Sequence, residues 1–154
     1  MTPCIDLAVF LYAFPVIWVM SFLLHELCHC LEAIRQGNEE GYIKVFKWDA
    51  IPSFFAEASG GLKNPKMFKL AGGLYSGLLL LPLGIIGILV YFPIGFPLLS
   101  ASLANIAYSF YERKFLWEID FNHYMIGHYL LYGAVVLILA VIFRNDLCAM
   151  LKCF

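Results

Sequence analysis

The chain of 154 residues is much more apolar than a soluble domain. Hydrophobic residues make up 62% of it and charged residues only 14%, whereas soluble domains are roughly 45–50% apolar. The formal net charge of −1 provides no basic field for nucleic acid. We therefore expect an integral membrane protein, formed by one membrane-embedded domain over residues 1–154, that contacts the lipid bilayer and not nucleic acid.

Apolar segments predict an all-α fold with about four transmembrane helices. The predicted spans are residues 5–34, 68–92, 98–111 and 123–143. The first span ends at Arg35-Gln36-Gly37-Asn38, where a cation and a glycine suit the end of a helix. Pro93 and Pro97 are predicted to bracket a tight turn before the third span. In the second span, the four-residue spacing of Gly73 and Gly77 predicts close helix packing.

The segment between the first two spans is the only polar region of any length. Residues 42–48 and 53–57 are rich in strand-forming side chains, and Asp49-Ala50-Ile51-Pro52 between them is typical of a turn. This pattern predicts a short β-hairpin or a re-entrant loop. An interfacial loop with aromatic anchors is the alternative.

One run at the end of the first span has the pattern of a metalloprotease site. His25 and His29 lie four residues apart, about 40° around a helix, so both imidazoles can bind one metal ion. Glu26 would lie beside that ion, where its carboxylate can take a proton from a zinc-bound water of pKa near ~7. The run follows an apolar segment without charge, and ionisable groups within a membrane are usually functional. We expect one Zn²⁺ per chain, with Glu26 as the catalytic base.

A catalytic zinc ion usually has three protein ligands. Asp120, at the start of the fourth span, is predicted to be the third, and His123 and His128 are the alternatives. These two histidines lie about 140° apart around a helix, which places them poorly for binding one ion together. Asn105 or His123 is predicted to stabilise the oxyanion of the reaction.

Glu32 and Glu112 are predicted to have different roles. Glu32 lies nearly on the same helix face as His25 and could orient a metal ligand through a hydrogen bond, or it could be a solvated side chain of the last turn. Glu112, next to Arg113 and Lys114, is interpreted as a charge at the membrane interface.

These motifs together resemble those of the site-2 protease family of intramembrane zinc metalloproteases. The motifs are His25-Glu26-Leu27-Cys28-His29, then Ala71-Gly72-Gly73-Leu74-Tyr75-Ser76, and then Asp120. The resemblance implies that His25, His29 and Asp120 bind zinc and that Glu26 activates water. It also implies a substrate that spans or enters the membrane and is cut within or near the bilayer. The family usually has proline in place of Gly73, asparagine in place of Ser76, and glycine directly after its aspartate, so this chain would be a minimal or divergent member.

The distribution of basic residues predicts the orientation. With four spans, one side receives most of the lysines and arginines, namely Arg35, Lys44, Lys47, Lys63, Lys66, Lys69, Arg113 and Lys114, and the other side receives Arg144 and Lys152. The first side is expected to be the cytoplasmic side of a cell membrane, and both termini are predicted to lie outside. This orientation places the metal motif of the first span and the start of the fourth span at the same, cytoplasmic face.

Two functions without proteolysis are the alternatives. One is a membrane protein that binds or transports zinc, and the other is a catalytically inactive scaffold that binds partner helices. Glu26 distinguishes them from a protease, because proton transfer requires this carboxylate and the alternatives have no evident use for it. Cys4, Cys148 and Cys153 fall on the predicted outer side, where one disulfide could form, although the sequence indicates no pairing.

Overall fold

The computed structural model describes residues 3–38, 41–45, 54–58, 61–115, 118 and 121–151. Within these ranges the chain is mostly helical. The elements in chain order are α1 (Pro3–Arg35), β1 (Gly41–Val45), β2 (Phe54–Ala58), α2 (Pro65–Val90), α3 (Phe92–Phe115), α4 (Phe121–Ile142) and α5 (Arg144–Leu151).

Three of the described helices are long and apolar enough to cross a membrane. They are Ile5–Arg35 of α1, Pro65–Val90 of α2 and His123–Ile142 of α4. Large apolar side chains are exposed along them, including Leu79, Leu89 and Leu130. This surface is consistent with a membrane protein, because lipid rather than water can cover it.

The predicted third span, residues 98–111, is not confirmed, since α3 is not among the described helices that are long and apolar enough. It is also longer than the predicted segment 98–111, because it begins at Phe92. Pro93 lies in its first turn, where a missing N–H removes no helical hydrogen bond. The prediction that Pro93 and Pro97 bracket a turn was therefore wrong, and the chain reverses at Tyr91 instead.

The end of α1 agrees with its sequence pattern. Gly37 has a φ of +91°, a left-handed conformation that glycine adopts without steric cost. The Asn38 N–H donates to the Ala33 carbonyl at 3.1 Å and so satisfies a carbonyl of the last helical turn. Gln36 then joins this end to α2, since its amide group accepts from the Asn64 N–H at 2.7 Å and donates to the Asn64 carbonyl at 3.1 Å.

Two short strands lie between α1 and α2. They pair antiparallel, with Gly41 opposite Ala58 and Val45 opposite Phe54. Both overlap the extended segments predicted from the sequence, while residues 46–53, which include the predicted turn, lie outside the described residues. The strand β2 contacts α1, because the Ala56 N–H donates to the Glu26 carboxylate at 2.6 Å.

Close packing of α2 against α3 depends on glycine. A Cβ atom at Gly77 would lie 2.8 Å from the Ser102 carbonyl oxygen and 2.5 Å from the Ile106 side chain, and one at Gly84 would lie 2.7 Å from the Leu99 Cα. The Ser102 hydroxyl also donates to the Gly77 carbonyl at 2.8 Å. Gly73 likewise faces the backbone of α3. The packing role predicted for Gly73 and Gly77 is therefore confirmed.

We expect Gly77→Ala to lower the free energy of unfolding by about 1–3 kcal/mol, because the added methyl group overpacks this contact. Gly133→Ala is the matched control, since a Cβ atom at Gly133 would meet nothing within 4 Å. The control should be neutral or stabilising by up to about 1 kcal/mol, as expected for alanine in a helix. Denaturant unfolding of both variants in one detergent measures the difference. Equal stability of the two variants would contradict the packing interpretation.

Candidate metal centre

Three buried side chains from two helices converge near one end of the bundle. His25 and His29 lie one turn apart in α1, and Glu112 lies in the last turns of α3. Each is at most 4% exposed. The two histidine Nε2 atoms are 3.1 Å apart. Glu112 Oε1 lies 3.0 Å from His29 Nε2, and Oε2 lies 3.2 Å from His25 Nε2. The possible ligand atoms of the three residues all lie within 4.8 Å of one another, so this group could bind a metal ion.

The helix α2 closes the third side of the cluster through a residue without a side chain. A Cβ atom at Gly72 would lie 2.7 Å from His25 Nε2, and it would be closer still to His29 Nε2. Any larger residue there would occupy the space beside both ligand nitrogens. Gly72 therefore leaves the room that an ion would need.

The ring of His29 is oriented by the backbone of α2. Its Nδ1 atom lies 2.7 Å from the Phe68 carbonyl oxygen, which can only accept a hydrogen bond. This contact places a proton on Nδ1, and it directs Nε2 at Glu112 and His25, so that in the neutral ring Nε2 is the nitrogen available to a metal ion. This arrangement is typical of histidines that bind metals. His25 Nδ1 has no hydrogen-bond partner among the described residues.

Glu26 lies next to the cluster without belonging to it. Its Oε1 atom is 4.0 Å from His25 Nε2, whereas its Oε2 atom accepts the hydrogen bond from the Ala56 N–H. The carboxylate is therefore held between the imidazoles and β2. A base that takes a proton from a water molecule beside the metal ion would have to lie where the Glu26 carboxylate lies.

The carboxylate of Glu32 is hydrogen-bonded to side chains at the end of α1. It accepts hydrogen bonds from Arg35 Nε at 2.7 Å, from an Arg35 terminal nitrogen at 2.8 Å and from Gln36 Nε2 at 2.8 Å. The residue is only 1% exposed. The solvated interpretation was thus wrong, because the Glu32 carboxylate is buried and ties together the end of α1. The interpretation that it orients a metal ligand stays a prediction.

Asn105 is fully buried in α3, one helix turn below Ser109 and two below Glu112. Its Oδ1 atom accepts from the Tyr132 hydroxyl, and its Nδ2 atom has no partner among the described residues. The amide group therefore retains two N–H donors. The prediction that it stabilises an oxyanion stays untested.

The histidines of α4 lie apart from the cluster of ligand atoms. His128 is buried, and its ring packs against that of Tyr108, with 3.9 Å between the centroids and a tilt of 36° between the planes. His123 is exposed at the start of the helix. Neither is part of the described group that could bind a metal. Asp120 lies outside the described residues, so its predicted role as a ligand stays a prediction.

Sequence reasoning missed Glu112. The charged residues Arg113 and Lys114 follow it, and the whole run was interpreted as the end of a span. A helical repeat could have identified it, because Ser102, Asn105, Ser109 and Glu112 are spaced by three, four and three residues. All four are buried. A polar face of this kind within an apolar bundle indicates a site rather than an interface.

Comparisons with known proteins add no assignment, since no family model, curated protein or solved structure matches this chain.

Proposed function

We propose that the chain is an intramembrane zinc metalloprotease that hydrolyses a peptide bond of a membrane-spanning or membrane-associated polypeptide. The observation that carries the proposal is the buried group of His25, His29 and Glu112 with Glu26 beside it. His25, Glu26 and His29 lie in α1, a helix that is long and apolar enough to cross a membrane. The resemblance of its motifs to the site-2 protease family supports the same reaction.

The donor set favours zinc as the metal. Two imidazoles and one carboxylate are a common ligand set of catalytic zinc, and they leave a further position for water or substrate. His25 and His29 would bind the ion through Nε2, and Glu112 would bind it through its carboxylate. Asp120, the ligand predicted from the sequence, is the competing candidate for the third position.

The proposed reaction assigns a proton transfer to Glu26. A bound zinc ion would polarise the scissile carbonyl group and make a water molecule more acidic. Glu26 takes a proton from this water while the water oxygen attacks the carbonyl carbon. The carboxyl group then delivers the proton to the amide nitrogen as the C–N bond breaks. One water molecule is consumed, and one carboxylate product and one amine product result.

In the proposed reaction, the strand β2 would hold the substrate in an extended conformation. A transmembrane helix hides its carbonyl groups in its own hydrogen bonds, so a substrate must be extended locally before it can be cut. The Ala56 N–H points at Glu26, which means that this edge of β2 faces the proposed reaction centre. An extended segment that adds to this edge as a further strand would pass beside Glu26.

The proposed orientation places the metal centre toward the cytoplasmic side of a cell membrane. The ends of α1 and α3 and the start of α2 lie at the same end of the bundle as the centre, and basic residues collect there. These include Arg35, Lys63, Lys66, Arg113 and Lys114. In this arrangement α3 is a fourth crossing. Its 24 residues span about 36 Å, and its polar face is buried against the other helices.

Metal-dependent cleavage tests the proposal. The full chain is purified in detergent, its zinc content is measured, and it is incubated with model transmembrane peptides that contain a helix-destabilising glycine or proline. We expect about one zinc per chain and cleavage that stops when a chelator removes the metal and returns when zinc is added. A chain that binds no zinc would refute the metal centre. A chain that binds zinc, cuts none of the peptides and moves zinc into sealed vesicles would instead be a transporter.

A further inference from the structure

The strand β2 has one edge that β1 does not cover. In the described part of the chain the sheet has two strands, and Ala56 of β2 lies opposite Ile43 of β1. The Ala56 N–H donates to Glu26 Oε2 at 2.6 Å, so it points away from β1 and toward α1. Hydrogen-bonded and non-hydrogen-bonded positions alternate along an antiparallel pair. The N–H groups of Phe54 and Ala58, two residues to either side, therefore face the same edge.

The Glu26 carboxylate occupies the place that a further strand would need. Paired strands lie about 4.8 Å apart, and their N–H and carbonyl groups bond across this gap. At the middle of β2 the acceptor in the gap is a side chain of α1. A strand that added here would have to bring its own carbonyl oxygen to the Ala56 N–H. Because both acceptors need the same position, an added strand and Glu26 compete for this N–H.

The same contact restrains the group that is proposed as the base. Glu26 Oε1 lies 4.0 Å from His25 Nε2, and the Glu26 side chain is 14% exposed. A hydrogen bond from an N–H to a carboxylate is charge-assisted and roughly twice as strong as one between neutral groups. In the proposed reaction this carboxylate carries a proton from water to the leaving nitrogen. While it is bonded to β2, it has less freedom for that movement.

We propose that an extended substrate takes the Ala56 N–H from Glu26, so that β2 holds the base until a strand-forming segment binds. The released carboxylate then acts at the metal centre. A helical segment cannot bring about the release, because its carbonyl groups are already bonded within the helix. The contact thereby selects unwound segments that have a free backbone carbonyl group. The inference rests on the function proposed above.

Competition for one N–H makes strand binding and the position of Glu26 reciprocal. If Glu26 opposes the binding of a strand, removal of its carboxylate must strengthen that binding. A hydrogen bond to a charged group is strong enough to change a binding equilibrium by about 10–100-fold. This expectation concerns binding alone, so it can be tested without a metal ion and without cleavage.

The test measures how a strand-forming peptide binds to the metal-free chain. The probe is the peptide Thr-Val-Thr-Val-Thr-Val with blocked ends and an uncharged fluorophore, because threonine and valine favour strands. The full chain is kept in detergent with a chelator, and fluorescence anisotropy gives the dissociation constant. Glu26→Ala removes the competing acceptor. Ala56→Pro removes the N–H itself, and proline is tolerated at a strand edge.

The two substitutions are also combined in one chain. Ala58→Pro is the matched control background, since it makes the same change on the same edge, two residues from the contact with Glu26. A backbone ester made by replacing Ala56 with lactic acid removes the same N–H. This ester carries the test if Ala56→Pro does not fold or does not bind the peptide.

We expect Glu26→Ala to bind the peptide about 10–100-fold more tightly than the parent. In a chain that lacks the Ala56 N–H, the same substitution should have no effect, because nothing is left to compete for. In the Ala58→Pro chain it should keep its full effect. This pattern would show that Glu26 and the peptide share one donor.

Three results would overturn the inference. The first is equal peptide binding by the parent and Glu26→Ala. The second is a gain from Glu26→Ala that persists without the Ala56 N–H, since the carboxylate would then act through its charge or its size. The third is a peptide that binds to neither chain. None of these results tests the metal centre, which fails instead if the parent chain binds no zinc.

Discussion

Replacing Glu26 by glutamine should reduce the rate of peptide cleavage by about 10²–10⁴-fold, the usual contribution of a general base, while the chain keeps one zinc ion. Glutamine has almost the same shape as glutamate but cannot take a proton from water. Its amide oxygen can still accept the hydrogen bond from the Ala56 N–H, so β2 should keep its contact with α1. The turnover rate at saturating peptide and the zinc content of the same sample measure the two effects separately.

Glu118→Gln is the control for this substitution. The Glu118 side chain is 66% exposed, and its Oε1 atom lies 3.8 Å from Lys69 Nζ. The variant makes the same chemical change outside the centre, so it should cleave at the parental rate. A Glu26→Gln protein that is folded, loaded with zinc and as fast as the parent would exclude Glu26 as the base.

Glu112→Ala should weaken zinc binding by about 10²–10³-fold. Structural zinc sites with four ligands bind with about 10–16 kcal/mol in total, so one ligand contributes about 2.5–4 kcal/mol, and each 1.4 kcal/mol is a factor of ten. The loss would leave His25 and His29 as the described ligands. Competition with a chelating dye measures the dissociation constant of the parent and the variant.

Asp120→Ala decides between Glu112, the candidate third ligand in the structure, and Asp120, the third ligand predicted from the sequence. If Glu112 is the third ligand, Asp120→Ala should bind zinc as the parent does. If Asp120→Ala weakens binding by 10²-fold or more and Glu112→Ala does not, the prediction from the sequence is right and Glu112 has another role. Helix content from circular dichroism must remain parental in both variants.

The part of the candidate metal centre on α1 could be predicted, because its residues are close in sequence. A four-residue repeat on one helix determines that His25 and His29 share a face, and an apolar run determines that this helix suits a membrane. The end of α1 was predictable for a similar reason, since Gly37 alone supplies the left-handed residue. Local patterns of this kind do not depend on how the helices pack.

The part of the candidate metal centre on α2 and α3 could not be predicted, because it depends on how helices that are distant in sequence pack together. Glu112 was interpreted from its neighbours Arg113 and Lys114, although its function depends on the face of α3 that turns toward α1. The rotation of α3 is determined by glycine contacts with α2, such as that of Gly77 with Ser102. The position of Gly72 against the two imidazoles arises in the same way, and no pattern within one helix predicts it.

Because Gly72 and Glu112 enclose the two histidines from α2 and α3, the centre cannot exist early in synthesis. When α1 leaves the ribosome, it carries His25, Glu26 and His29 with neither the enclosing backbone nor the carboxylate. The complete set forms only after α2 has entered the membrane and most of α3 has folded back along it. We therefore expect metal capture to be a late event in biogenesis, and a nascent chain that ends before α3 to contain His25, Glu26 and His29 without retaining the metal. For the protease proposed above, this delay would prevent cleavage of neighbouring membrane proteins before the chain's own assembly is complete.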